Sequence, residues 1–437
     1  VSDSVTVEEG NALATVNNAN VSFDGGLTDS FYNMVISGGN NQAQSGFSAI
    51  ISDDSDINIT INNSQDYNVK GLKTINDATS GTITLSDKTV ALSGISEDLV
   101  DAFASGFDTD YSGNVTITSG YDVSQLITIN EATTGSITLS DVTVALSGSS
   151  SDLVDAFAGT VTQHNGDITV TNTGYNVTQL KYINENTDGN ITLTNKGEAL
   201  SGSSEDLISV FDETFDSQYS GNVTIDNTID YDISDLVTIN GATKGAITLQ
   251  NANVNLSGLV SEYINAFSGS VTTHTGTITI TNSGNSVIEA EDITTINTKS
   301  TGNITITNNI DINGTSAEVA AAVVVVDNYS GTPTATLTDA HTLAELKTIN
   351  DEISGTITLN DYGLELSGSV ADIKAALDGS FTVNYSGNVI FDDADEANIT
   401  ATDITTIDGD TTGTITIIND IDINGTSAEV AAAVVVV

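Results

Sequence analysis

The 437-residue chain has no cysteine. Disulfides, thiolate chemistry and Cys-ligated metal sites are therefore excluded. It also lacks tryptophan, the ring on which a sugar-cleaving groove would stack its substrate, and it lacks arginine. Nine lysines supply all the side-chain positive charge against 59 acidic residues, leaving a formal net charge of −50. Nucleic acids and anionic membrane surfaces would be repelled, because binding them requires Lys and Arg to neutralise phosphates. No apolar run approaches the roughly 20 residues that span a bilayer, so membrane insertion is not expected. Nucleophile elbow, phosphate-binding loop, zinc motif and dinucleotide fingerprint are all missing. An enzyme is not expected. What so acidic a chain favours is solubility at high salt and weak occupation by divalent cations, which gather near carboxylates. Val1 opens the chain with neither Met nor a charged-then-apolar leader, so any export signal is expected to lie outside this stretch.

What is present is a repeat. Leu72 to Phe103 reads LKTINDATSGTITLSDKTVALSGISEDLVDAF, and the rest of the sequence restates it with substitutions. The Ile75-Asn76 pair returns at Ile129-Asn130, Ile183-Asn184, Ile239-Asn240, Ile296-Asn297 and Ile349-Asn350, and as Ile407-Asp408, at spacings of 54, 54, 56, 57, 53 and 58 residues. A period of this kind marks a stacked repeat architecture. Residues 1–70 read as divergent repeats or a cap, with strand-like pieces at Ser4 to Val7 and Ile57 to Asn62, a short helix near Glu8 to Val16, and a loop at Gly38-Gly39-Asn40-Asn41. Residues 71–437 read as tandem repeats of one elongated unit, truncated in the last copy. Ile421 to Val437 is identical to Ile310 to Val326, after which the chain continues as Asp327-Asn328-Tyr329. The expectation is a segment of a longer polypeptide.

Each repeat has two related halves of about 27 residues. In Ser96 to Phe103 the serine can cap a helix, and Glu97 and Asp98 fall in the first turn, where the helix dipole favours acids. Leu99 and Phe103 share a face at i,i+4. In Gly81 to Leu85 the β-formers alternate, placing Ile83 on one face and Thr82 and Thr84 on the other. The other half opens on a short apolar turn at Leu126 and Ile129 before the strand Ser136 to Leu139. Helices of one or two turns and single five-residue strands do not hold alone. They need the next copy. The expected fold class is mainly β with short helices, a β-solenoid-like repeat with coils of about 27 residues paired into 54-residue repeats and parallel sheets. The rival is a string of small β-sandwiches, for which 54 residues is short against about 100 in a typical sandwich.

Among candidate sites, His164 and His274 lie in the slot filled by Tyr111, Tyr219, Tyr329 and Tyr385, and His341 in that of Tyr67, Tyr121, Tyr175 and Tyr231. All three histidines read as substitutes at aromatic positions. Ca²⁺ takes six to eight oxygens, and acids cluster at Asp53, Asp54 and Asp56, at Asp108 and Asp110, at Asp226, Asp230, Asp232 and Asp235, at Asp392, Asp393, Asp395 and Glu396, and at Asp408 and Asp410. No EF-hand loop or calcium nonapeptide array accompanies them, so solvated loop charge and Ca²⁺ ligation both stand as readings. No other cofactor is expected. Asn-x-Ser/Thr triplets at Asn114, Asn176, Asn190, Asn222, Asn303, Asn313 and Asn398 fit glycosylation sequons, but most coincide with the opening of a strand. The uncharged runs Ala320 to Val326 and Ala431 to Val437 read as core or as a subunit contact.

The recurring LxTIN, TxGxITL, LSG and DLxxAF segments resemble the tandem arrays of giant extracellular surface proteins and adhesins of marine bacteria, picocyanobacteria especially, and similar arrays in structural proteins of their phages. The resemblance covers Leu72 to Val437 and implies a stalk or coat. It implies a non-enzymatic structural protein outside the cell or on its surface, acting as a rod, filament, surface layer or adhesin stalk, with other copies of itself and the cell envelope as partners. The alternative is a virion fibre or capsid appendage.

Overall fold

The Ile-Asn pair sits in the last turns of a helix, not in a short turn. Ile75-Asn76 falls in Val69–Ala78, Ile129-Asn130 in Val123–Ala132, Ile183-Asn184 in Val177–Glu185 and Ile239-Asn240 in Ile233–Ala242. The architecture is that of a computed structural model, which describes residues 1–16, 20–36, 38, 41–62, 67–104, 107, 111–211, 218–226 and 230–437. These long helices start on a side-chain cap. The Asp122 carboxylate accepts from Gln125 N at 2.9 Å while Gln125 Oε1 accepts from Asp122 N at 3.1 Å, a reciprocal box that satisfies otherwise unpaired helix donors. Val123, Leu126 and Ile129 then form the buried stripe.

A second, shorter helix alternates with the first, at Ser96–Ala102, Ser150–Ala156 and Val260–Ala266. Ser149 Oγ caps one of these by accepting from Asp152 N at 3.1 Å. In the Ser96–Ala102 copy the cap position is Ile95, so Ser96 does not cap as expected. Its hydroxyl donates instead to Gln125 Oε1 on the next helix at 2.9 Å.

Contacts divide the chain into two units, Val1–Leu200 with Ser209–Ser220, and Ser201–Ile208 with Gly221–Val437. In the first unit, three-stranded parallel sheets follow one another along the chain. Leu27–Asp29, Ile59–Ile61 and Ile83–Leu85 form one. Leu92–Gly94, Val115–Ile117 and Ile137–Leu139 form the next, in the register Leu92 to Val115 to Ile137. Leu146–Gly148, Ile168–Val170 and Ile191–Leu193 form the third. Parallel partners require a crossover, and each step from one strand to the next carries a helix. Ile83 and Leu85 are buried and Thr84 exposed, matching the alternation in the sequence. The Leu-Ser-Gly strands were not anticipated. Of the divergent start, Glu8 to Val16 is found as the helix Val7–Thr15, Ile57 to Asn62 shortens to Ile59–Ile61, and Val5 makes only a bridge to Leu27. Gly39 and Asn40 lie outside the described residues.

The second unit repeats this plan with wider sheets. Leu256–Gly258, Ile278–Ile280, Ile304–Ile306 and Asn328–Tyr329 pair in that order, as do Ser286–Glu289, Ile310–Gly314, Thr334–Leu337, Thr356–Thr358 and Ser380–Phe381. Leu366–Gly368, Val389–Phe391 and Ile415–Ile417 make a further sheet, and Ala397–Thr400 pairs with Ile421–Asn424. All of these pairings are parallel. Helix residues outnumber strand residues, 35% to 23%, so the chain is an α/β repeat of short parallel strands and helices, and "mainly β" is replaced by that description.

The glycine that precedes each strand is set by close approach. A Cβ on Gly135 would meet the Gly113 carbonyl oxygen, and one on Gly189 the Gly166 carbonyl oxygen. Successive steps are thus in backbone contact at these points, and a side chain would force them apart.

Candidate functional site

The motif that defines the repeat is built from side chains whose partners lie one step away. Asn76 Nδ2 donates to Asp101 O at 2.7 Å, Asn130 Nδ2 to Asp155 O and Ala158 O, both at 2.9 Å, Asn184 Nδ2 to Ser209 O at 2.9 Å, Asn240 Nδ2 to Asn265 O at 2.6 Å and Asn350 Nδ2 to Ala375 O at 2.6 Å. Each acceptor closes the C-terminal end of the following helix, where carbonyls have no partner within the helix. The neighbouring isoleucine is buried in its own helix. One dipeptide therefore fills the core and fastens the next element.

The aromatic slots work in pairs on the loop between the two strands of a step. Tyr121 Oη donates to Asp141 O at 2.6 Å and His164 Nε2 to Val144 O at 2.8 Å, so one loop is held by rings from either side. Tyr231 Oη donates to Asn251 O at 2.7 Å and His274 Nε2 to Val254 O at 2.8 Å. Tyr175 and Tyr219 reach Asn195 O and Glu198 O in the same way. His164 and His274 thus take the role of tyrosines. His341 occupies the same kind of slot, but its Nε2 stands 3.3 Å from Tyr385 Oη, which itself donates to Leu364 O at 2.7 Å. The imidazole is shorter than a phenol and stops at the hydroxyl. Among the described residues its buried Nδ1 has no partner.

Burial depresses the proton affinity of all three imidazoles; at His341 the carboxylates of Asp361, Glu345 and Asp339 oppose that effect. The phenols of Tyr121 and Tyr231 are pushed up to about 12 by burial, and the Asp141 and Asp230 charges add to it. Each of the two paired imidazoles also has a buried hydroxyl at its other nitrogen: His164 Nδ1 stands 3.4 Å from Thr187 Oγ1 and His274 Nδ1 3.4 Å from Ser300 Oγ.

The acidic clusters are used as backbone acceptors. Asp53 Oδ2 accepts from Val21 N at 3.4 Å and Asp54 Oδ2 from Phe23 N at 2.6 Å, while Asp56 is exposed on the turn. Asp393 Oδ2 accepts from Val370 N at 2.9 Å and Asp395 Oδ1 from Asp420 N at 3.2 Å; Asp392 and Glu396 are exposed. Asp232 caps a helix by accepting from Asp235 N at 2.9 Å, and Asp235 Oδ2 accepts from Ser204 Oγ at 2.9 Å. Asp226 is half-buried, and Asp230 and Asp408 are exposed. Asp410 keeps one buried oxygen without a partner among the described residues, and burial, with Asp378 nearby, raises its carboxyl. Asp108 and Asp110 lie outside the described residues. Among the described residues no three acids or histidines converge as a metal shell.

The sequons fall on structural asparagines. Asn114 Oδ1 accepts from Ser136 N at 3.0 Å, Asn222 Oδ1 from Ala246 N at 2.9 Å, Asn398 Oδ1 from Asn424 Nδ2 at 2.6 Å, and Asn176 caps a helix through Gln179 N at 3.0 Å. Asn190 and Asn313 donate to Asp167 Oδ1 and Glu289 Oε2, and Asn303 accepts through its backbone from Ile278 N at 2.9 Å. The serine-to-helix links, Ser150 Oγ to Gln179 Oε1 at 3.0 Å and Ser316 Oγ to Glu345 Oε2 at 2.6 Å, were missed because their partners lie 29 residues away. Only the recurrence of Gln or Glu at one helix position could have signalled them.

No protein-family profile matches the chain, and no curated protein matches it. Among the described residues no helix is long and apolar enough to cross a membrane.

Proposed function

We propose that the chain is a non-enzymatic structural repeat protein whose steps stack as a solenoid and serve as a rod, filament, surface layer or adhesin stalk outside the cell or on its surface. The observation that carries this reading is the use of the repeat's recurrent polar side chains. The asparagine of the Ile-Asn pair in five of the seven copies, the ring pairs and the serine links bond to the neighbouring step, with Asn297 and Asp408 the exposed exceptions, and a catalytic group would need its polar atoms free for a substrate. Selection on such a motif preserves stacking. The charge of −50 supports a saline setting, where self-repulsion is screened.

Removing one whole repeat tests this directly. Deleting Leu126–Gln179 joins Gln125 to Leu180, the equivalent of Leu126 one repeat later. The stacking reading expects a folded protein with unchanged ellipticity per residue and a midpoint shifted by only a few degrees, an independent unit's loss being roughly local in such arrays. Deleting Leu126–Ala132 alone leaves a gap between helices and should unfold the neighbouring steps. If the whole-repeat deletion unfolds the chain as badly as the partial one, the stacking reading is wrong.

A further inference from the structure

The three histidines fill aromatic slots alike, but they differ at Nδ1. The hydroxyls beside His164 Nδ1 and His274 Nδ1 give their own protons to Gly166 O and His274 O, both at 3.2 Å, so each oxygen can accept from a protonated ring. His341 has no such neighbour. It is 6% exposed, its Nε2 stands 3.3 Å from Tyr385 Oη, and its buried Nδ1 has no partner among the described residues. The Tyr385 proton goes to Leu364 O, which makes Nε2 the donor and leaves a bare lone pair at Nδ1. A second proton there would create a buried donor without an acceptor, which costs more than the neutral state.

The loop that carries His341, residues 338–342, also helps to join two helices. Ser316 opens Ser316–Val323; its N donates to Asp339 Oδ1 at 2.7 Å and its Oγ to Glu345 Oε2, in Leu343–Glu352, at 2.6 Å. Thr342 N donates to the same Glu345 oxygen at 2.9 Å. The charges around the ring are Asp339 on its own loop, Glu345 on the helix that follows and Asp361 beyond Thr356–Thr358, while the neutral phenol of Tyr385 reaches in from the next step. All three carboxylates attract a cation, yet none bonds to Nδ1. Two of them are already engaged by Ser316.

We propose that His341 is an acid-operated latch between Ser316–Val323 and Leu343–Glu352: the protonated ring leaves its slot, takes residues 338–342 with it and frees Ser316 from Asp339 and Glu345. The closed latch is at full strength above the free imidazole value of about 6.5 and weakens as pH falls below it, because the released loop takes up the proton more readily than the buried slot does. Burial acts in that direction, and the three carboxylates act against it. All of these contacts lie within one unit, and the latch works whether or not the chain serves as a rod.

The test is hydrogen–deuterium exchange of the intact chain, corrected for the intrinsic pH dependence of amide exchange, at about pH 7 and about pH 5.5, a window in which imidazole titrates and ordinary carboxylates stay ionised. Protection of Ser316 and of residues 339–345 should fall by at least about threefold, with a ceiling of about eightfold set by a free value near 6.5. Ser150 is the internal standard. Its N donates to Asn172 Oδ1 at 2.9 Å and its Oγ to Gln179 Oε1 at 3.0 Å, neither acceptor titrates, and the buried Tyr175 fills the slot that His341 fills. Its protection should not change. His341→Tyr should abolish the fall at Ser316; Tyr175 and Tyr219, which reach one loop together, show that two phenols fit such a pair. Ring-nitrogen NMR needs no change at His341: in the chain carrying His164→Tyr and His274→Tyr, the one imidazole should become cationic over the pH range in which Ser316 loses protection. Constant protection at Ser316, an equal fall at Ser150, a fall that persists in His341→Tyr, or an imidazole that turns cationic while Ser316 stays protected would each overturn the proposal.

Discussion

At the residue scale the three histidines show how a slot outweighs the chemistry of the side chain in it. Imidazole usually attracts a catalytic or metal reading, but His164 and His274 are fully buried and donate one N–H to a loop carbonyl as tyrosines do elsewhere. Their folded proton affinity is depressed by burial, so the unfolded chain protonates first as pH falls. Stability is then fully present above the unfolded value of about 6.5 and declines as pH drops from there toward the folded value, by at most about 1.4 kcal/mol per pH unit for each ring. Replacing both with the residue their slot favours, His164→Tyr and His274→Tyr, should flatten the urea midpoint between about pH 6.5 and 5. If the slope survives both substitutions, it originates elsewhere. Both aromatic slots were legible from spacing alone, one at a fixed distance before a glycine and the other at a fixed distance before a leucine; that the two rings close on one loop was not, since they reach it from opposite sides.

At the scale of the element, the helices could be placed from sequence but their coupling could not. The apolar positions of Val123–Ala132 were visible, yet its length was underestimated, because Asp122 and Gln125 form their capping box ahead of the first leucine. The Leu-Ser-Gly strands were missed for a different reason. Three residues with serine and glycine have little β-propensity, and they are strands only because Val115–Ile117 and Ile168–Val170 lie beside them. Coupling between helices runs through side chains such as Asn130, which bonds to two carbonyls at the end of Ser150–Ala156. Asn130→Ala should cost about 1–2 kcal/mol in urea unfolding, as expected for a lost donor to partly buried acceptors. Asn130→Asp should cost more, because it sets a carboxylate against the negative end of a helix. Equal costs for the two would show that the amide does not act on that helix end.

For the whole molecule, period and charge were the two most legible properties. The repeat spacing predicted stacked steps; the structure shows an α/β repeat of short parallel strands and helices, and the chain divides into two contact units. With nine cations among 59 acids, few repulsions are relieved by pairing; Lys73 meets Asp101, and Lys374 meets Asp403. Salt should therefore stabilise the fold. Raising ionic strength from 0.01 to 1 M shortens the screening length from about 30 Å to about 3 Å, and the thermal midpoint should rise along that series; a midpoint that falls would mean the few ion pairs outweigh the repulsion. One feature of the stacking matters under load. Because each strand pairs with partners 22 or 23 residues away in the Leu92–Leu139 sheet, pulling on the chain would detach one step at a time. Each released step of about 27 residues would lengthen the chain by up to roughly 90 Å, so on the proposed rod reading extension would come in discrete increments of that size.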